Sequence, residues 1–131
     1  MPTVFTRIIN GELPGHFVYR DDTCVAFMSI APLSTGHTLV VPIAEVDHWI
    51  DLDETTLSHL MGVSQRIGAA VDVAFSPAKV GMTIAGLEVP LVHIHLVPIN
   101  AATDLDFANA TPASAEDLAE AATMIRTALD R

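Results

Sequence analysis

Two histidines, two residues apart in an otherwise apolar run, are the strongest chemical feature of this sequence. In Leu91-Val92-His93-Ile94-His95-Leu96-Val97-Pro98, the alternation of an extended chain sets Leu91, His93 and His95 on one face and Val92, Ile94 and Leu96 on the other. The two imidazoles then stand ~7 Å apart along the strand, close enough to address one small ligand together. Burying both without partners would cost roughly 1 to 3 kcal/mol each, so the pair points to a site and not to a core. A neutral imidazole, with an ordinary pKa of about 6.5, is a nucleophile and a proton carrier at neutral pH. A His-x-His strand can also supply two of the three or four ligands that zinc takes. Cys24 is the single cysteine, so such a metal site would have to be completed by His37 or His48. His16, His48 and His59, taken singly, read as structural or solvated side chains. The chain has no Gly-x-Ser-x-Gly elbow and no Gly-x-Gly-x-x-Gly, and Gly81 to Gly86 is followed by Leu87-Glu88 where a phosphate loop would need Lys-Ser or Lys-Thr.

The elements that position these histidines can be read from spacing and punctuation. Phe5 to Asn10, stopped by Gly11-Glu12-Leu13-Pro14-Gly15, predicts a short helix. His16 to Arg20 and Cys24 to Ser29, joined by Asp21-Asp22-Thr23, predict a hairpin. His37 to Pro42 is a β-branched run bounded by Gly36 and a proline, hence a strand. Apolar residues at Leu57, Leu60, Met61, Ile67, Val71 and Phe75 predict a helix over 54–75, capped by Asp53 or Thr55 and ended at Ser76-Pro77. Lys79 to Ala85 and Val92 to Pro98 are further strands. The stretch 100–113 is a polar, Ala-rich loop. Ser114 with Asp117 opens a C-terminal helix over about 114–130, with its stripe at Leu118, Ala121, Ala122, Ile125 and Leu129. The expected class is α+β, with a mostly antiparallel sheet of about five strands. One long central helix, a short N-terminal helix and a C-terminal helix accompany it, helices covering one face and chemistry displayed on the other.

Composition bounds what this unit can do. Its 131 residues suit one domain, 1–131, with one main core. Half are apolar and 17% charged, which excludes an extended disordered chain. Asp and Glu outnumber Lys and Arg by 16 to 6, for a formal charge of −10, so neutralising a phosphate backbone is not this chain's task and no nucleic-acid partner is expected. No stretch reaches the ~20 apolar residues of a membrane span, and the N-terminus lacks the apolar run of a signal peptide, so the expected location is the cytoplasm. Cys24 among Val25, Ala26 and Phe27 reads as a small buried residue.

Taken in order, several blocks resemble one family. These are Ile8-Ile9-Asn10-Gly11-Glu12-Leu13-Pro14, Val18-Tyr19-Arg20-Asp21-Asp22, Val25-Ala26-Phe27, Ile30-Ala31-Pro32, Gly36-His37-Thr38-Leu39-Val40-Val41-Pro42 and the His93/His95 strand. The sequence resembles the histidine triad (HIT) family of nucleotide hydrolases and transferases, whose signature is His-φ-His-φ-His-φ-φ with φ apolar. The resemblance implies a HIT-like fold and a homodimer in which each subunit holds a nucleoside monophosphate moiety. His93 matches the middle histidine, which attacks the α-phosphorus and forms a nucleotidyl-histidine that water then cleaves. His95 and His37 match histidines that surround the phosphate. Phe5, Ile8, Phe27 and Ile30 match positions lining the base pocket. No cofactor and no metal are implied: Phe5-Thr6-Arg7 stands where zinc-binding relatives carry a cysteine pair.

Four positions depart from the family pattern. Leu91 replaces the signature's first histidine, Ser29 replaces the Asp that holds the ribose, and Leu87 and Glu88 replace a Gln and a Ser or Thr beside the phosphate. Leu91, Ser29 and Glu88 are therefore expected to touch the nucleotide in altered ways, and Leu91→His to raise turnover. The expected function is cleavage of nucleoside phosphoramidates or nucleotidyl conjugates, with a purine nucleotide as the bound moiety. The alternative is a nucleotide-binding or interaction module of the same fold with weakened chemistry.

Overall fold

The computed structural model describes residues 2–130. Five strands form one antiparallel sheet in the order β1-β2-β3-β5-β4: β1 (Phe17–Arg20), β2 (Cys24–Met28), β3 (Thr38–Pro42), β4 (Lys79–Thr83) and β5 (Ile94–Ile99). Helices α1 (Val4–Ile9), α2 (Glu54–Phe75) and α3 (Ala115–Leu129) complete it. The class is the expected α+β, and α2 has the bounds its periodicity predicts. Asp53 is its cap, accepting the Thr56 N–H through its side chain, and Ser76 ends it in the left-handed conformation at φ 49°.

The two faces of the sheet carry separate clusters. On one, Leu60, Val63, Ile67 and Val71 of α2 and Leu118, Ala122 and Ile125 of α3 bury Cys24, Ala26, Met28, Val40, Ile94 and Leu96. Each large aliphatic side chain taken fully from water there contributes about 1.5 to 3 kcal/mol. Val63 and Ala70 occupy the buried stripe of α2, whereas Met61, expected on it, is 42% exposed. On the other face Phe5, Ile8 and Ile9 of α1 cover Val25, Phe27, Leu39, Val41 and Leu91. The expectation that helices cover one face is thus corrected: α2 and α3 do, and the short α1 covers part of the opposite one, which also displays the histidines.

Register explains that display. Phe27 pairs with Leu39 and Leu39 with His95, so these three project to the α1 side, while Ala26, Val40 and Ile94 project to the α2 side. β5 begins two residues later than expected, because the Val92 N–H bonds the Val46 carbonyl, outside the ladder. The polar 100–113 stretch is not featureless. It holds two 3-10 turns, Ala102–Leu105 and Phe107–Asn109, organised by Asp104 and Asp106. The Asp104 carboxylate accepts the N–H groups of Asn100 and Ala101, and Asp106 accepts that of Ala108. Short carboxylates that fold back on nearby amides produce such turns without any hydrophobic period to betray them.

Candidate active site

Gly36 delivers the chain into β3 with φ +103°, a backbone conformation that suits glycine and brings the chain close under the Phe75 ring. His37 follows at the head of β3 and His95 sits in the neighbouring β5, each almost fully buried at 2% and 8% exposure. Their rings meet, with His37 Nε2 2.9 Å from His95 Nδ1. The Leu33 N–H donates to His37 Nδ1 at 3.0 Å, which leaves the His37 proton on Nε2, donated to His95 Nδ1. When neutral, His95 then carries its own proton on Nε2. A backbone amide therefore sets two tautomers in series.

His93 lies just before β5, 5% exposed. Its Nδ1 donates to the Leu91 carbonyl at 2.7 Å, a group that can only accept, so Nε2 holds the lone pair. The ring packs edge-on to Phe5 and to His95, with centroids 4.8 Å away in both cases. His93 is thus built as an oriented nitrogen base with a neighbouring N–H donor.

All three imidazoles are held neutral at physiological pH. Burial lowers the pKa of His37 to about 4, helped by the nearby His93. Burial and then the charges His93 and His37 would bear lower that of His95 to about 3. His93 is also lowered by burial, opposed by its bond to the Leu91 carbonyl and by the Glu88 carboxylate. Desolvation disfavours each imidazolium, so this cluster offers lone pairs and N–H dipoles rather than positive charge.

The cluster opens on a cavity of about 280 Å³ lined by Phe5, Ile8, Phe27, Ser29, Ile30, His37, Glu88, His93 and His95. Nine of the ten residues expected at the site therefore meet here. Leu91 is the exception and a correction: it is fully buried among Phe5, Ile8, Val25, Phe27 and Val41, and only its carbonyl takes part, by holding His93. A second space of about 160 Å³ adjoins the same histidines, walled by Ala85, Gly86, Leu87, Glu88 and Phe107. Leu87 is 94% exposed.

Phe107 escaped the sequence reading. Its ring stands edge-on to His95 at 4.8 Å and borders both spaces. The 3-10 turn that carries it is pinned across the site by Thr111 N–H to the Pro32 carbonyl and Ala113 N–H to the Ile30 carbonyl. The available signal was one aromatic residue in a polar loop.

The N-terminal edge of the site is tied by hydrogen bonds. Glu45 accepts from the Thr3 N–H at 3.0 Å and from the Thr6 hydroxyl, holding α1 over the cavity.

A family model described as the HIT domain matches residues 10–102. An uncharacterized HIT-like protein of Borreliella burgdorferi is 35% identical over 102 residues, covering 72% of this chain and 73% of that protein. The structure of a HIT-like protein of Bartonella henselae, solved with an unknown ligand and described as involved in cell-cycle regulation, superposes with a TM-score of 0.86 at 30% identity. That match covers 96% of this chain and 95% of that one. A hypothetical histidine triad nucleotide-binding protein of Sulfolobus tokodaii superposes with a TM-score of 0.83 at 26% identity, covering 96% and 91%.

Proposed function

The chain belongs to the HIT domain family, and from that premise we propose that it binds a purine nucleotide moiety and cleaves nucleoside phosphoramidates or nucleotidyl conjugates through His93. The observation that carries the proposal is the fixed tautomer of His93. With Nδ1–H given to the Leu91 carbonyl, Nε2 is a lone pair held without conformational search against the cavity shared by Phe5, Ile8, Phe27 and Ile30. An apolar slot of that volume suits a base, and Ser29 at its rim offers a hydroxyl to a ribose.

The Nε2 lone pair forms a bond to the α-phosphorus as the bond to the leaving nitrogen or oxygen breaks, and the leaving group departs with a proton taken from solvent. Water then attacks the same phosphorus and returns a proton to solvent, the P–N bond breaks, and His93 regains its neutral form with release of the nucleoside monophosphate. His95, whose Nε2–H remains free of the His37 bond, is the donor placed to meet charge developing on the phosphoryl oxygens. Burial lowers the pKa of His93 and so favours the neutral, nucleophilic form. The adjoining space beside Leu87, Glu88 and Phe107 receives the leaving group, and its carboxylate disfavours an anionic one.

The test is release of AMP from the adenosine 5′-phosphoramidate of an aromatic amine. His93→Ala is expected to reduce single-turnover release by about 10³-fold or more while AMP still binds. Equal rates in the variant would refute the nucleophile. The second reading, a binding module, is favoured by the Glu88 carboxylate on the wall of both spaces. AMP binding with no release by the unaltered chain would establish it. The same proposal includes a homodimer, supported by the edge strand β4 and by 42% exposure of its Met82, and light scattering at micromolar concentration measures it.

A further inference from the structure

On the sheet face away from His93, the β1–β2 turn meets α2 through an unusual gathering of side chains. Asp21 is fixed by its own turn: Oδ1 accepts the N–H groups of Thr23 and Cys24, both at 2.8 Å. Oδ2 is thereby aimed at the helix. It lies 2.6 Å from His59 Nε2, 2.7 Å from the Tyr19 hydroxyl and 3.9 Å from Cys24 Sγ. Three proton donors converge on a single carboxylate oxygen. His59, read from sequence as a solvated residue off the helix stripe, is in fact paired.

We propose that Asp21, Cys24 and His59 form a binding site for a divalent transition-metal ion of the Zn²⁺ type. Their three ligand atoms all lie within 4.8 Å of one another. An ion bonded at ~2.0 Å to oxygen and nitrogen and ~2.3 Å to sulfur sets tetrahedral ligands roughly 3.3 to 3.5 Å apart. The Asp21–His59 contact must open by under about 1 Å to reach this, and the Cys24 contact already exceeds it. A carboxylate, an imidazole and a thiolate form a set suited to Zn²⁺ or Co²⁺ and poorly suited to Mg²⁺ or Ca²⁺, which prefer oxygen alone. On binding, the thiol proton of Cys24 leaves to solvent, and the imidazole proton now given to Asp21 passes to Nδ1, so that neutral His59 presents the Nε2 lone pair. Water or the Tyr19 hydroxyl completes the fourth position.

Access comes from the helix side, where the His59 and Asp21 side chains are 39% and 24% exposed, above the fully buried Cys24. Among the described residues, Arg66 is the cation that faces the group, and it is held at the Tyr19 hydroxyl, 3.1 Å away. The net charge of −10 outweighs it over the whole chain. The ion would fasten the hairpin to α2 and so stabilise the core between them. The proposal is independent of what His93 does.

Because Cys24 is the only cysteine, a cobalt titration gives a direct answer. The untagged full chain, stripped with chelator and kept reduced, is titrated with Co²⁺. A thiolate-to-cobalt charge-transfer band in the near ultraviolet should saturate at one equivalent, and Zn²⁺ should bleach it while raising Tm by several degrees. His59→Gln and Asp21→Asn are each expected to weaken binding by about 10-fold or more, and Cys24→Ser to remove the band. His93→Ala should leave the band intact, which separates this site from the imidazole cluster. Absence of a thiolate band with excess Co²⁺ would overturn the proposal. So would a band of unchanged affinity, or an equal Tm rise with Zn²⁺, in the folded Asp21→Asn/His59→Gln double variant.

Discussion

Acid should loosen this protein through the two histidines whose tautomers are fixed in series. His37 has its pKa lowered to about 4 by burial and by His93, against about 6.5 in the unfolded chain. A base whose folded pKa is depressed binds fewer protons in the native state. Its contribution to stability is complete above pH 6.5 and falls as pH drops toward 4. At pH 5 the unfolded state has gained almost a full proton at this residue and the folded state almost none, a loss of about 2 kcal/mol relative to pH 8. His95, lowered to about 3 by burial and its two neighbours, adds a similar amount. Against a total stability of about 5 to 15 kcal/mol, this is a large fraction. Urea unfolding followed by far-ultraviolet circular dichroism at pH 8 and pH 5 measures the drop. His37→Gln removes one titrating group and relieves His95 of one repulsive neighbour, so the variant's drop should be smaller than the parent's by at least about 2 kcal/mol. The comparison is a difference of differences, unaffected by any constant cost of the substitution. An equal drop in both proteins would refute the assignment of His37 as a neutral, buried link.

Three further outcomes are expected. Leu91→His puts an imidazole among Phe5, Ile8 and Val41 and should destabilise the fold by about 2 to 5 kcal/mol without raising single-turnover rates, as denaturant unfolding and quench assays would show. Gly36→Ala places a Cβ 2.6 Å from the Phe75 ring at φ +103° and should cost about 2 kcal/mol or more in the same unfolding assay. Glu88→Gln removes the carboxylate from the wall of both spaces. It should raise kcat/KM for conjugates with anionic leaving groups by about 10-fold relative to uncharged ones, the result of losing roughly 1.4 kcal/mol of repulsion.

Period and punctuation made the sheet, the 22-residue α2 and the shared face of His93 and His95 legible in advance. Residues that act through side-chain direction alone were readable from strand alternation, because the pleat leaves no other choice. Leu91 shows where that reasoning stops. Alternation assigns a face, and Leu91 does lie on the α1 side with His93 and His95, but it does not say which positions on that face a helix covers. Phe5, Ile8 and Ile9 of α1 close over the Leu91 side chain, while the histidines stay on the cavity. Phe107 and His59 were missed for a different reason. Each meets its partner through a contact distant in sequence, His95 for one and Asp21 for the other, and no local period encodes a distance of that kind.

The backbone does chemical work at this site that side-chain identity alone does not reveal. The Leu33 amide and the Leu91 carbonyl set the proton positions of His37 and His93, and through His37 that of His95. Neither group depends on the side chain of the residue that supplies it, so substitutions at Leu33 or Leu91 that preserve the main-chain path preserve the tautomers. A change that moves the path by an ångström breaks hydrogen bonds of 3.0 and 2.7 Å and frees the rings to adopt the other tautomer. The geometry of the β2–β3 connection and of the turn before β5 is therefore as much a part of the proposed chemistry as the three imidazoles. This is why the apolar packing of Leu91 matters: by filling the cluster beneath α1, its side chain fixes the carbonyl that orients His93.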